Sequence, residues 1–166
     1  MTECGGVAFE GVDEATLASL ARALAPALGA GGVVHLEGSL GAGKTTFARA
    51  LLRALGVGER IKSPTYTLIE TYALPELAVH HLDLYRIAAA DELEWLGLRD
   101  LAAGSQLWLI EWPERGAGAI EPPDLLVHLA HAGPVRNVFF EPASPLGEKW
   151  LRQANLAGSG STRTAS

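Results

Sequence analysis

The chain has 166 residues, 48% hydrophobic and 19% charged, with a net charge of −6 and a pI near 5.3, which suits one globular α/β domain and argues against wholesale disorder. No apolar run approaches the ~18 residues needed to span a bilayer, the Glu3-bearing start does not read as a secretory signal, and a lone cysteine, Cys4, cannot form an internal disulfide, so a cytoplasmic protein with no membrane attachment is expected. The acidic balance also argues against a protein that grips nucleic acid by itself: the cations near one helix, Arg49, Arg53, Arg60 and Lys62, read more simply as solvated surface charge.

In chain order, Val7-Ala8-Phe9 predicts a first strand. Asp13 is placed to cap a helix running to about Leu28, whose apolar face is Leu17, Leu20, Ala21, Leu24 and Leu28, with Pro26 kinking or ending its last turn. Val33 to Leu36 reads as a short buried strand, and Thr45 to Leu55 as a helix stopped by Gly56. The β-branched and aromatic segment Ser63 to Tyr72 predicts extended chain, followed by a turn at Leu74 to Leu77 and a returning strand from Ala78 to Leu84. Asp91 to Leu96 and Leu98 to Ala103 predict two short helices broken at Gly97. Leu107 to Ile110 has the unbroken apolar character of a parallel-sheet strand. A Gly/Pro-rich loop from Pro113 to Pro123 precedes a hairpin of Leu125 to Leu129 with Asn137 to Phe140, turning at Gly133-Pro134, and a closing helix spans Pro145 to Leu156. One domain over residues 1–157 is expected, with a small, polar and disordered tail over residues 158–166.

Between the second predicted strand and its helix lies Gly38-Ser39-Leu40-Gly41-Ala42-Gly43-Lys44-Thr45, of the form G-x-x-x-x-G-K-[ST]. Glycines let the backbone turn tightly and approach a phosphate without a clashing Cβ. The loop amides then form a concave anion site, and the following helix adds its positive end. Lys44 supplies a point charge for β- and γ-phosphates, and the Thr45 hydroxyl suits Mg²⁺. Strand, glycine loop and helix together predict a nucleoside-triphosphate binder. Its Mg²⁺ side needs a carboxylate. Glu111, just past the apolar strand, and Asp83, just past Val79 to Leu82, both qualify as strand-end acids facing a ligand crevice. One is expected to hold the metal and the other to orient water. Thr65 and Thr67 lie where a hydroxyl can sense a γ-phosphate, although strand propensity explains them equally well. His35, His80, His81 and His128 lack metal-ligand spacing with cysteines and are assigned structural roles.

Four segments in order resemble the TsaE family, the small bacterial ATPases of the tRNA threonylcarbamoyladenosine pathway: Gly38 to Thr46, Ser63 to Leu68, His81-Leu82-Asp83-Leu84-Tyr85-Arg86, and Ile110-Glu111-Trp112-Pro113-Glu114. The stretch Asp91 to Glu94 with Gly97 also fits. The likeness covers about residues 8 to 140. It implies a P-loop NTPase fold, with a mainly parallel central sheet flanked by helices and antiparallel hairpins at its edges. It implies ATP and Mg²⁺ as cofactors, and TsaB and TsaD as partners, so that tRNA is met through the complex. ATP hydrolysis, weak in the isolated chain, would reset that complex between turnovers. Carried onto this sequence, the resemblance implies phosphate binding by Gly41, Ala42, Gly43, Lys44, Thr45 and Thr46, metal binding by Thr45 and Glu111, and support of hydrolysis by Asp83 and Thr65. Trp112 resembles a tryptophan the family needs for activity, and Asp13 and Arg136 are expected near the base or sugar. The chain has Ser39 where the family commonly has Asp, which puts in doubt any role that acid has.

Three other classes compete, one of them a pure binding module with a structural nucleotide, against which Glu111 and Asp83 at strand ends argue. A small-molecule P-loop kinase would need an arginine-bearing lid, for which Arg115 is the single candidate. A GTP-dependent switch is disfavoured because no Asn-Lys-x-Asp stretch is present.

Overall fold

The computed structural model describes residues 5–96, 105–156 and 161–163. In chain order its elements are β1 (Val7–Val12), α1 (Glu14–Leu24), β2 (Gly32–Gly38), α2 (Lys44–Leu55), β3 (Ile69–Leu74), β4 (Leu77–Asp83), β5 (Gln106–Glu111), β6 (Leu125–Ala132), β7 (Val135–Pro142), α3 (Pro145–Ala154) and β8 (Ser161–Arg163). All eight strands join one sheet in the order β3-β4-β5-β2-β6-β7-β1-β8. The centre, β4-β5-β2-β6, is parallel, and the hairpin partners β3 and β7 run antiparallel, as do β1 and β8. This is the parallel centre with antiparallel edges that the resemblance implies, and Leu107 to Ile110 and the two hairpins take the places their patterns predict.

The two faces are covered differently. Leu17 of α1, Phe47 and Leu51 of α2 and Trp150 of α3 pack with Leu109 and Val127 in the larger core. Behind the sheet a smaller core of Val33, Leu82, Leu84, Ile87, Leu93 and Ile110 is closed by Leu68, Trp112 and Ile120. Alternation along β4 and β5 follows from the pleat: Val79, Leu107 and Leu109 face the helices, Leu82 and Ile110 face the other way. Among the described residues no helix is long and apolar enough to cross a membrane.

Local signals act as expected at the helix ends. Asp13 accepts a hydrogen bond from the Thr16 amide at 2.7 Å, and Pro26 sits where α1 gives way to a 3-10 turn, Ala25–Leu28. Gly56 ends α2 in the left-handed conformation, its N–H donating to the carbonyls of Arg53 and Leu52. At the end of the sheet remote from the glycine loop, Asp124 accepts from the Val33 amide at 2.9 Å and from the Ser144 hydroxyl at 2.7 Å, tying the start of β2 to the start of α3.

Two expectations are revised and one is met in part. Ser63 to Tyr72 is not extended throughout: β3 begins only at Ile69, and before it the Leu68 amide folds back onto the Pro64 carbonyl at 2.8 Å with Leu68 at φ +66°. Proline and local side-chain bonding, here Ser63 to Thr65, favour a turn over β propensity. Asp91 to Leu96 lies in a 3-10 helix, Ala90–Leu96, and the second helix expected over Leu98 to Ala103 falls outside the described residues. Within the tail expected to be disordered, Ser161–Arg163 instead pairs with Val7 to Phe9, using ladder groups that an edge strand leaves open.

Candidate phosphate-binding site

Strand β2 carries the chain to Gly38 through buried Val34 and Leu36, and α2 starts at Lys44, so the glycine loop bridges a strand end and a helix start. Gly38 and Gly43 adopt φ +153° and +111°. A Cβ on Gly38 would stand 2.3 Å from the Leu129 carbonyl oxygen, which explains why glycine is needed there. Ala42 is buried in the loop and its amide donates to the Ser39 carbonyl at 3.1 Å. Lys44 is buried as well. Its Nζ donates to the carbonyls of Gly38 at 2.6 Å and Ser39 at 2.9 Å and lies 4.1 Å from the centre of the Trp112 ring. Burial pushes the Lys44 ammonium below its ordinary pKa, against the opposing pull of Glu111, Glu114 and Asp83.

Gly41, Gly43, Lys44, Thr45, Thr46, Thr65, Asp83, Glu111 and Trp112 line one cleft of about 370 Å³. The acids arrive from adjacent parallel strands, where Asp83 and Glu111 are direct cross-strand partners. The Thr45 hydroxyl donates to Glu111 Oε1 at 2.7 Å, while Glu111 Oε2 meets His81 Nε2 at 2.6 Å. Asp83 is half-buried and accepts from the Tyr85 amide at 3.1 Å. Burial raises its carboxyl pKa, with the Glu111 charge adding to the shift, against the lowering effect of that amide. Such a carboxyl binds a proton more readily than an exposed aspartate.

The turn before β3 brings Thr65 to the rim, its hydroxyl 2.7 Å from that of Ser63. Beside it, exposed Tyr66 carries Arg86 at 4.8 Å from its ring centre. Trp112 holds the left-handed φ of +58° and forms the opposite wall with Tyr85, 5.0 Å ring to ring. Asp13 and Arg136 do not line the cleft. Arg136 packs against Gly43, and Asp13 caps α1; its carboxyl is lowered chiefly by the Thr16 bond and further by Arg136. Both flank the loop on its α1 side.

A hydroxyl and a carboxylate on adjoining elements are hard oxygen donors of the kind Mg²⁺ accepts, and Mg²⁺ normally takes its remaining ligands from water and phosphate. Accordingly, no group of three or more His, Cys, Asp or Glu side chains gathers to cage a metal among the described residues. The sequence reading missed His81 as part of this site. His35, against the Glu121 carbonyl, and His80, between Thr71 and Gln106, fit structural roles. His81 sits two residues before Asp83, on the same face of β4, and that parity was available in the sequence.

Parallel strands, a glycine loop between β2 and α2, and acids at the ends of β4 and β5 define a P-loop NTPase fold. The crystal structure of Bacillus subtilis YdiB superposes with a TM-score of 0.70 over 90% of this chain and 94% of that one, at 26% identity. Residues 12–138 match the sequence model of TsaE, described as threonylcarbamoyl adenosine biosynthesis protein TsaE, and the chain belongs to that family. Proteins named tRNA threonylcarbamoyladenosine biosynthesis protein TsaE include one from Haemophilus influenzae, 41% identical over 70% of this chain and 73% of its own length. Another, from Bacillus subtilis, is 44% identical over 49% of this chain and 51% of its own length.

Proposed function

We propose that the chain is an ATPase acting in tRNA threonylcarbamoyladenosine synthesis, hydrolysing ATP with Mg²⁺ to sustain repeated turnover of a TsaB–TsaD complex in the cytoplasm. The observation that carries the ATPase reading is the 2.7 Å bond between Thr45 and Glu111 in the cleft that also holds Lys44. Family membership and the names its relatives bear support the pathway.

In this reading the loop amides and Lys44 bind the phosphates, and Thr45 and Glu111 would hold Mg²⁺. The ion supplies charge neutralisation across the β- and γ-phosphate oxygens when bound. Asp83, with its raised carboxyl pKa, receives the proton as a water oxygen bonds to the γ-phosphorus and the bond to the bridging β–γ oxygen breaks. Trp112 and Tyr85 would limit water on one side, and the Thr65 hydroxyl, which lines the same cleft, would meet the γ-phosphate. Asp13 and Arg136, flanking the loop outside the cleft, would serve the sugar and base.

The small-molecule kinase reading relied on Arg115 as a lid. That guanidinium stacks over Tyr85 and Trp112 at 5.3 and 5.8 Å, an arrangement that favours bracing the aromatic wall. The deciding experiment measures ATP turnover by the chain alone and with TsaB, TsaD and tRNA, alongside pull-down in ATP and in ADP. Stimulated turnover and nucleotide-dependent association are expected. Phosphate transfer to a small acceptor with no association would overturn the proposal in favour of a kinase.

A further inference from the structure

His81 is fully buried and Glu111 is 2% exposed, so neither finds water to satisfy its polar atoms. Glu111 spends Oε1 on the Thr45 hydroxyl and Oε2 on His81 Nε2. The other imidazole nitrogen, Nδ1, is buried without a hydrogen-bond partner. A buried N–H with no acceptor costs more than a bare lone pair on nitrogen. The arrangement therefore places the proton on Nε2, where it is donated to the carboxylate, and leaves Nδ1 bare.

The electrostatics around Glu111 show what that bond prevents. Its cross-strand partner is Asp83, a like charge, and the nearby Lys44 ammonium is an opposite one. A carboxylate held only through Oε1 would be pushed away from Asp83 and drawn toward Lys44. Such a rotation would take Oε1 from Thr45 and cancel the lysine charge meant for phosphate.

We propose that His81 is a positioning residue for Glu111: it fixes Oε2 so that Oε1 and the Thr45 hydroxyl keep the spacing needed to hold a small hard cation. The inference rests on the ATP·Mg²⁺ reading of the same cleft. Outer-shell partners of this kind orient ligating carboxylates, and their loss typically costs ~10–100-fold in metal affinity or activity.

The test uses the full chain with His81→Leu, His81→Gln and His81→Asn. ATP affinity is measured by calorimetry with Mg²⁺ and with EDTA, together with kcat, KM and thermal unfolding. In EDTA the Leu variant should bind ATP within about twofold of wild type, because the glycine loop is untouched. With Mg²⁺ its gain in affinity should shrink by about tenfold, and kcat should fall by about tenfold or more with little change in KM. Gln, whose amide N–H reaches near the Nε2 position, should restore most of both; Asn, which is shorter, should not. A Leu variant that keeps the full Mg²⁺ gain overturns the inference, as does equal weakening in EDTA and Mg²⁺. If the Leu variant does not fold, Gln against Asn decides: equal impairment of the two overturns it. A wild type whose ATP affinity ignores Mg²⁺ overturns the ATP·Mg²⁺ reading and this inference together, whereas a Mg²⁺-dependent wild type with an unaffected Leu variant overturns this inference alone.

Discussion

Strand β4 carries two adjacent buried histidines that serve opposite faces of the sheet. On the helix side, His81 stands beside Asp83 and Glu111, and its bond leads through Glu111 to Thr45 at the start of α2. On the other side, His80 bridges Thr71 of β3 and Gln106 of β5 and stacks 4.3 Å from Trp108. Both are imidazoles without solvent, one residue apart. The strand pleat alone sends one to the carboxylate of Glu111 and the other into a cross-strand tie. The difference teaches that burial of a polar side chain does not reveal its role; the face it points from, and what the next strand presents there, do.

The contrast predicts that damage on the helix side abolishes nucleotide chemistry with little loss of fold, and that damage behind the sheet does the reverse. The largest effects belong to Glu111 and Lys44. Glu111→Gln should lower ATP turnover roughly a hundredfold, the scale of losing one key electrostatic contact, with a modest fall in affinity. Steady-state kinetics beside calorimetry checks this, and wild-type turnover would break the assignment. Lys44→Ala should weaken ATP binding by roughly tenfold to a hundredfold, the worth of a charge-assisted hydrogen bond. Unchanged affinity would remove the loop from phosphate binding.

Behind the sheet, His80→Leu should destabilise the fold by about 1 kcal/mol by removing its hydrogen bonds to Thr71 and Gln106, while ATP affinity stays at the wild-type value. Denaturant unfolding reads the first and calorimetry the second; a loss of affinity would erase the contrast between faces. Acid sharpens it further. Burial pushes the His80 imidazole below its ordinary pKa of 6.5, so the folded chain takes up that proton less readily than the unfolded one. The stability associated with this group is complete above pH 6.5 and declines as pH falls below it toward the depressed folded-state value. Melting temperature should therefore drop below that point, and drop less steeply in His80→Leu; His35, also lowered by burial, acts in the same direction. Identical slopes in the two proteins would sink this assignment. The smallest effect concerns the sheet's far edge: deleting residues 158–166 removes a three-residue ladder, and should change stability by less than ~1 kcal/mol without altering ATP binding.

Much of the fold was readable because parallel strands need unbroken apolar runs and helix ends need particular caps. Leu107 to Ile110, Asp13 and Gly56 each carried such a signal. The position of the glycine loop between a strand and a helix, and of both acids at strand ends, was readable because the loop pattern and the apolar runs mark where each strand stops. Thr65 was placed in extended chain because propensity was weighed ahead of Pro64 and Ser63, whose local bonds bend the backbone. The link from His81 to Glu111 follows from strand parity with Asp83, a signal that residue type and ligand spacing do not carry. The Ser161–Arg163 strand carried no apolar alternation; its partner is backbone, which composition does not report.

In the proposed ATPase, the contacts of the Lys44 ammonium would bear on how firmly a nucleotide is retained. It has two carbonyl acceptors and an aromatic face within its own chain. Turning it toward a phosphate exchanges one set of contacts for another, so only the difference counts toward affinity. A triphosphate brings enough negative charge to win that exchange. A diphosphate brings less, and the lysine has an intramolecular refuge to which it can return. If the chain hydrolyses ATP as proposed, the loop would carry its own competitor for the product, favouring a site that empties after each cycle over one that clings to spent nucleotide.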